Sequence, residues 1–284
     1  MSYLDALATT DTDFSTHNAQ QRRREMSQFR APFVRRTYGR GHGYKDANGL
    51  KVPGVTTILS KGLPKPALVN WAARTAAEYA IDNWAMLADL PISERLDMIR
   101  RAPDATKNAA ALRGTKLHDA AEVLIDTGTV DVDPEQVPLV ESYARFLSDW
   151  QVQPEFVESS VYNVTHGYAG TLDLIATLAG GRRWLLDIKT SKRVYGDMAL
   201  QLAAYRHAEF LHDDDTEGDD IAMPQVEAVG IIHVRADGYD LVPLTAGPVE
   251  FRSFLYIAQV AATADRLKEL VHAPITPEKE TVSA

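Results

Sequence analysis

The sequence predicts a mixed α/β protein, in which a helical first half leads into strands and then into further helices. Three observations carry that expectation. Apolar residues recur at helical spacing over much of the stretch from Pro66 to Trp150. The period then falls to two in three consecutive segments, EFVESSVYNV, YAGTLDLIATL and RRWLLDIKT, joined by the short turns THG and AGG. A helix, a hairpin and a closing helix follow. No internal repeat or divisive linker appears, so residues 31–274 read as a single domain, with a helical N-terminal portion over 55–151 and a core over 114–272.

The elements follow in order. Residues 1–30 are polar, carry Arg22–Arg24 and show no period, which reads as a mobile arm or a weak helix. Asn48-Gly49 is a hairpin signal between short β-like runs. A helix is expected from Pro66 through Leu87, with Leu68, Trp71, Ala72, Thr75 and Tyr79 along one stripe, and a second, short one over 93–101. RGTKLHDAAEVLIDTG reads as a helix stopped by Gly128, burying Leu117, Ala121, Leu124 and Ile125. Another helix is expected over about 134–151. Beyond the three strands, MALQLAAYRHAEFLH reads as a helix and residues 213–220, DDDTEGDD, as a solvated acidic turn. VEAVGIIHV and GYDLVPL form a hairpin through Asp237-Gly238, 249–272 closes as a helix, and residues 275–284 read as a disordered tail.

Composition narrows the chemistry. The 284 residues are 45% hydrophobic and 24% charged, ordinary for a globular chain with a real core. The absence of cysteine excludes disulfides, thiolate zinc sites, cysteine-ligated iron–sulfur clusters and a cysteine nucleophile, and it suits a reducing compartment. The first residues lack the basic and apolar regions of a secretory signal, and no apolar run reaches membrane-spanning length, so a cytoplasmic protein without a membrane partner is expected. The net charge of −9 is unevenly spread: residues 1–119 hold 18 Lys and Arg against 12 Asp and Glu, whereas 120–284 hold 12 against 27. A basic half and an acidic half fit a nucleic-acid-facing side and a metal-binding or solvated side, although composition scatter yields the same pattern.

The sharpest signal is a pair of carboxylates. Asp173 and Asp187 are equidistant from Gly180, so a register symmetric about that glycine sets them opposite each other, with Cβ atoms roughly 4.5–5.5 Å apart. Like charges so placed repel, and a divalent cation between them removes the conflict. A two-residue Gly180-Gly181 loop would instead throw them onto opposite faces, so a three-residue loop or a bulge is expected. Oxygen ligands favour Mg²⁺ or Mn²⁺. Lys189 shares a face with Asp187, where an ammonium would assist an attacking water and offset charge on a phosphate. In isolation an Asp-x-Lys is a solvated ion pair at a strand edge.

His118 and Glu122 lie one helical turn apart and share a face with Gly114, which would admit a close backbone or nucleic-acid strand. Gln201 and Tyr205 likewise share a helix face, where ordinary packing would also place them. Glu158 has Phe156 and Ser160 on its side of the first strand.

Taken in order, Gly114-Thr-Lys-Leu-His118, Gly170-Thr-Leu-Asp173, Asp187-Ile-Lys189 and Gln201-Leu-Ala-Ala-Tyr205 resemble the RecB-like branch of the PD-(D/E)XK nuclease superfamily. These motifs cover residues 114–205, and VPGVTTILS with PKPALVNWAAR is similar to the N-terminal part of phage-encoded exonucleases of that branch. The resemblance implies a central mixed sheet flanked by helices. It implies a metal held by His118, Asp173, Asp187 and the Ile188 carbonyl, with Lys189 as the catalytic lysine beside the two aspartates. Gln201 and Tyr205 would line the DNA side, and Glu122 and Glu158 would stand behind the ligands or hold a second metal. Some relatives carry a four-cysteine iron–sulfur cluster, which this chain cannot form, and no GxxxxGK[ST] loop for ATP is present.

The function expected is thus a Mg²⁺- or Mn²⁺-dependent deoxyribonuclease, an exonuclease of recombination or replication, in the host cytoplasm if phage-encoded, with DNA and a recombination partner protein as the expected partners. The alternatives are an endonuclease on the same site or a protein that grips DNA ends without cutting. Phosphate affinity is expected from the basic half, led by Arg113 and Lys116, with Lys61, Lys65 and Arg74 behind them.

Overall fold

The computed structural model of the chain describes residues 33–38, 41–212 and 220–274. The expected N-terminal arm, most of the acidic turn and the C-terminal tail lie outside the described residues. A small antiparallel sheet comes first, β1 (Val34–Tyr38), β2 (Gly41–Lys45) and β3 (Lys51–Val52). The Asn48-Gly49 turn closes β2 on β3 as expected, with the Asp46 carboxylate accepting from the amides of Asn48 and Leu50.

Helices α1 (Val55–Gly62), α2 (Pro66–Asp82), α3 (Trp84–Ala88), α4 (Ile92–Thr127) and α5 (Val137–Asp149) follow. Next come β4 (Gln153–Asn163), β5 (Tyr168–Thr177) and β6 (Arg183–Lys189), then α6 (Asp197–Arg206), β7 (Phe210–His212) and β8 (Ile221–Ala222). The hairpin β9 (Ala228–Arg235) and β10 (Gly238–Pro243) and the helix α7 (Pro248–Arg266) complete the fold. The seven strands of the main sheet run in the order β10-β9-β6-β5-β4-β7-β8, and only β6 and β9 pair in parallel. The chain is therefore a mixed α/β protein.

Helices cover both faces of the sheet, and each face has its own core. One side joins Val55, Ile58 and Leu59 of α1, Leu202–Tyr205 of α6 and Phe254 of α7 to Ile175, Leu185 and Ile231. The other joins Leu117, Ala120 and Ala121 of α4 and Val140, Tyr143 and Phe146 of α5 to Leu174, Leu186 and Ile232. Burial of these two apolar layers supplies the main drive to fold.

Three expectations are corrected. The helices foreseen over 93–101 and from 113 are one 36-residue helix, α4, which runs through Pro103. Proline removes one donor from the ladder, but the Ala- and Lys-rich sequence beyond it has high helix propensity and carries the helix through. The helix ends at Gly128 (φ 75°), as foreseen, because that left-handed residue closes the last turn onto Leu124. The helix read into MALQLAAYRHAEFLH stops at Arg206, and Phe210–His212 become the strand β7 paired with β4. Strand pairing overrides the helical period there. Leu68, placed in the buried stripe of α2, is 52% exposed, and α2 buries no residue fully. Among the described residues no helix is long and apolar enough to cross a membrane.

Candidate metal centre where two strands part

The turn between β5 and β6 sets the register that matters. Thr177 pairs with Arg183, the amide of Leu178 donates to the Arg182 carbonyl, and three residues are left in the loop. Gly180 and Gly181 both take positive φ, 95° and 78°, which a residue with a side chain adopts only under strain. The pairing is symmetric about Gly180, as expected, and continues through Leu174 opposite Leu186. It stops there. Asp173 and Asp187 are the next positions on the two strands, so they face each other at a split in the sheet and not as a rung of the ladder. Across that split the Asp173 Oδ2 accepts the amide of Ile188 at 2.6 Å, a charge-assisted bond in place of the missing rung.

The same point is where alternation fails. Leu172 belongs to the α1/α6/α7 core and Leu174 to the α4/α5 core, although residues two apart in a regular strand share a face. On β4, Val157 and Val161 differ in the same way. Between them lies Glu158, opposite Asp173, with φ 44°. A left-handed residue that is not glycine costs about 1–2 kcal/mol. The fold bears that strain where it turns Glu158 toward Asp173.

His118 enters from α4. Its Nδ1 lies 3.2 Å from Glu158 Oε1 and 3.5 Å from Asp173 Oδ2, and its Nε2 lies 3.1 Å from the Ile188 carbonyl oxygen. Both ring nitrogens face acceptors, so both carry protons and donate. Burial alone would push the imidazole down, but the charges of Asp173 and Glu158 outweigh it and hold it at about 9.

Asp187 and Lys189 complete the group. Asp187 is almost fully buried; Gln201 Nε2 donates to its Oδ1 at 2.8 Å, and its Oδ2 faces the Lys189 ammonium. Burial, and then the nearby Asp173, push the Asp187 carboxyl up to about 6. Burial also raises Asp173, although His118 and Lys189 pull it the other way. Burial would lower Lys189, but Asp187 and Asp173 raise it further, so it is held as an ammonium. Tyr205, one turn beyond Gln201 on α6, sets its hydroxyl 3.3 Å from Gln201 Nε2. Its ring lies over Gly170, where an added Cβ would meet it at 2.4 Å. That close approach is the physical need for glycine in Gly170-Thr-Leu-Asp173.

The donor set fits a hard divalent cation. His118, Glu158 and Asp173 each offer a ligand atom within 4.8 Å of the others. The Ile188 carbonyl meets the same imidazole, and the buried Asp187 Oδ2 has no aligned hydrogen-bond donor. Two or three carboxylate oxygens, a carbonyl and an imidazole make an oxygen-rich set suited to Mg²⁺ or Mn²⁺.

The structure thus brings together His118, Asp173, Asp187, Ile188, Lys189, Gln201 and Tyr205, and it moves Glu158 from the margin into the ligand cluster. Glu122 stays outside that cluster, one turn along α4 from His118. Arg113 is exposed, and Lys116, 200° around the helix from His118, pairs with Asp133 at 2.5 Å. Neither lies on the site's side of α4, because the helical period carries them past it. Gly114 meets only Thr190 Oγ1, at 3.7 Å, an ordinary contact that alanine would tolerate.

Two residues of the site went unread in the sequence. Tyr44 of β2 donates to or accepts from Thr171 Oγ1 at 2.8 Å and lies near Tyr205. Tyr143 of α5 lies wholly buried near Asp173 and Glu158. Tyr143 falls in the stripe Val140-Tyr143-Phe146, which any core helix would show; no pattern marked Tyr44.

Fold and site together define a mixed α/β protein with a candidate divalent-metal centre at a split in its sheet. Neither a protein-family model nor a curated protein matches the chain.

Proposed function

We propose that this protein is a Mg²⁺- or Mn²⁺-dependent deoxyribonuclease of the PD-(D/E)XK type, a RecB-like exonuclease working in the cytoplasm. The observation that carries the reading is the clustering of His118, Glu158 and Asp173, whose ligand atoms lie within 4.8 Å of one another, with the Ile188 carbonyl at the other nitrogen of the same imidazole and the Asp187–Lys189 pair alongside. A structural ion pair would not need a strained Glu158, a split ladder and a carboxyl pushed up to about 6 in one place.

The ligands would be His118, Glu158, Asp173, Asp187 and the Ile188 carbonyl. Bound there, the cation would supply a Lewis acid for a phosphate oxygen and acidify a coordinated water. The chain's own residues do the rest. Lys189, held as an ammonium beside Asp187 and Asp173, would offer a positive charge and hydrogen-bond donor to the phosphate. Gln201 fixes the rotamer of Asp187 through its Oδ1, and Tyr205 in turn lies beside Gln201. His118 must release the proton on one ring nitrogen to become a ligand, and the same carboxylates that hold that proton are the ones a cation would neutralise. Exchange of a proton for a metal is built into the cluster.

The test is digestion of end-labelled linear and closed circular DNA, with Mg²⁺ and with EDTA. Loss of label from linear DNA alone, dependent on Mg²⁺, is the expected result. Cleavage of the circle would make the protein an endonuclease, and binding of linear ends without any cleavage would overturn the enzymatic reading.

A further inference from the structure

The Tyr143 hydroxyl is an anomaly in the core. The side chain is 0% exposed and sits in the cluster formed by Leu117, Leu174, Val157 and their neighbours. Those three residues adjoin His118, Asp173 and Glu158 in sequence, and the charges of Asp173 and Glu158 act on the Tyr143 hydroxyl, so the ring belongs to the core layer next to the candidate ligands. Among the described residues the hydroxyl has no hydrogen-bond partner. A buried donor without an acceptor is rare in folded proteins and asks for an explanation. Packing does not supply one: Phe146, one turn along α5 with its ring centroid 6.1 Å from that of Tyr143, fills the same layer without a hydroxyl.

We propose that Tyr143 is a positioning residue whose hydroxyl donates to the Glu158 carboxylate when that carboxylate turns from His118 to a bound divalent cation. The inference rests on the metal-dependent reading above. In the structure Glu158 Oε1 is engaged by His118 Nδ1 at 3.2 Å, and among the described residues Tyr143 has no acceptor. Once His118 becomes a ligand through Nδ1, the nitrogen that faces Glu158, that carboxylate loses its donor, and Tyr143 is a buried O–H within reach of its charge. Burial first, and then the charges of Asp173 and Glu158, oppose ionisation of the phenol, so Tyr143 stays a donor. Supporting hydrogen bonds of this kind orient metal ligands and set affinity.

The roles in the two states have opposite signatures, and calorimetric titration of Mn²⁺ with melting curves in EDTA separates them. Tyr143→Phe should bind Mn²⁺ about tenfold more weakly than wild type. Its melting temperature in EDTA should equal or exceed that of wild type, because the lost hydroxyl had no partner there. In a Glu158→Ala background, which leaves the hydroxyl no side-chain acceptor at that position, the same substitution should no longer alter Mn²⁺ affinity. Wild-type affinity in Tyr143→Phe, or weaker binding matched by a lower melting temperature in EDTA, would overturn the inference alone. Failure of wild type to bind Mn²⁺ would overturn the metal-dependent reading and this inference with it.

Discussion

The two ends of the β5–β6 hairpin obey different rules. At the turn end, Thr177 to Leu174 pair with Arg183 to Leu186 in a regular ladder closed by two glycines at positive φ. At the other end the ladder stops, side chains change faces at Asp173, Glu158 on β4 is strained, and Asp173 lies close to both Glu158 and Asp187. The first end satisfies each backbone and side-chain preference locally. The second violates several at once, and that concentration of violations is what points to a ligand.

The contrast yields predictions that separate activity from stability. The largest effects should come at the open end, on activity. Asp187→Asn and Lys189→Ala should each lower DNA cleavage in Mg²⁺ by about 10²–10³-fold or more, since the first removes a carboxylate that would hold the cation and the second an ammonium placed for the reacting phosphate. Normal turnover in either folded variant would sink the assignment of this site.

Stability should respond to Asp187→Asn in the opposite direction. The folded carboxyl stands at about 6, above the ordinary value near 3.8. The stability available from this group is therefore full below about pH 4 and is lost as pH rises through 6. In EDTA, Asp187→Asn should melt higher than wild type at pH 8, by about 2–3 kcal/mol in stability, and no higher at pH 4. A gain that persists unchanged at pH 4 would mean that burial of charge is not the cause.

At the turn end the pattern should invert. Gly181→Ala places a side chain at φ 78° and should cost about 1–2 kcal/mol, read in the denaturation midpoint, with cleavage unchanged. Loss of activity there would show that the two ends are not independent.

The smallest effect concerns DNA affinity. With Lys116 paired to Asp133 and both cations turned from the cluster, the Arg113→Ala/Lys116→Ala variant should keep the wild-type slope of log K against log salt, measured in Ca²⁺. A slope shallower by one or two units would place these residues on the DNA path after all.

How far the sequence foretold this follows from the same contrast. The strands, the three-residue loop and the symmetry about Gly180 were legible because period-two alternation and turn glycines are local signals. The long α4 was read as two helices because Pro103 is a local stop signal that the flanking helix formers override. Phe210–His212 were misread because their fate depends on pairing with β4, some fifty residues away in sequence. Within the site, Asp173, Asp187 and Lys189 could be placed by register, and His118 by its face of α4. Glu158 could not be ranked, since its role depends on a reversal of strand faces that no local pattern records. Tyr143 looks in sequence like any aromatic in a core stripe.

The central claim is that the open end of the hairpin holds a divalent cation, and calorimetric titration of Mn²⁺ into wild type and Asp173→Asn tests it most directly. The asparagine can still accept the Ile188 amide, so the fold should survive while the charge is lost. Saturable Mn²⁺ binding by wild type, abolished or weakened at least tenfold in Asp173→Asn, is the predicted result. Equal binding by the two proteins, or none by wild type, would contradict the account.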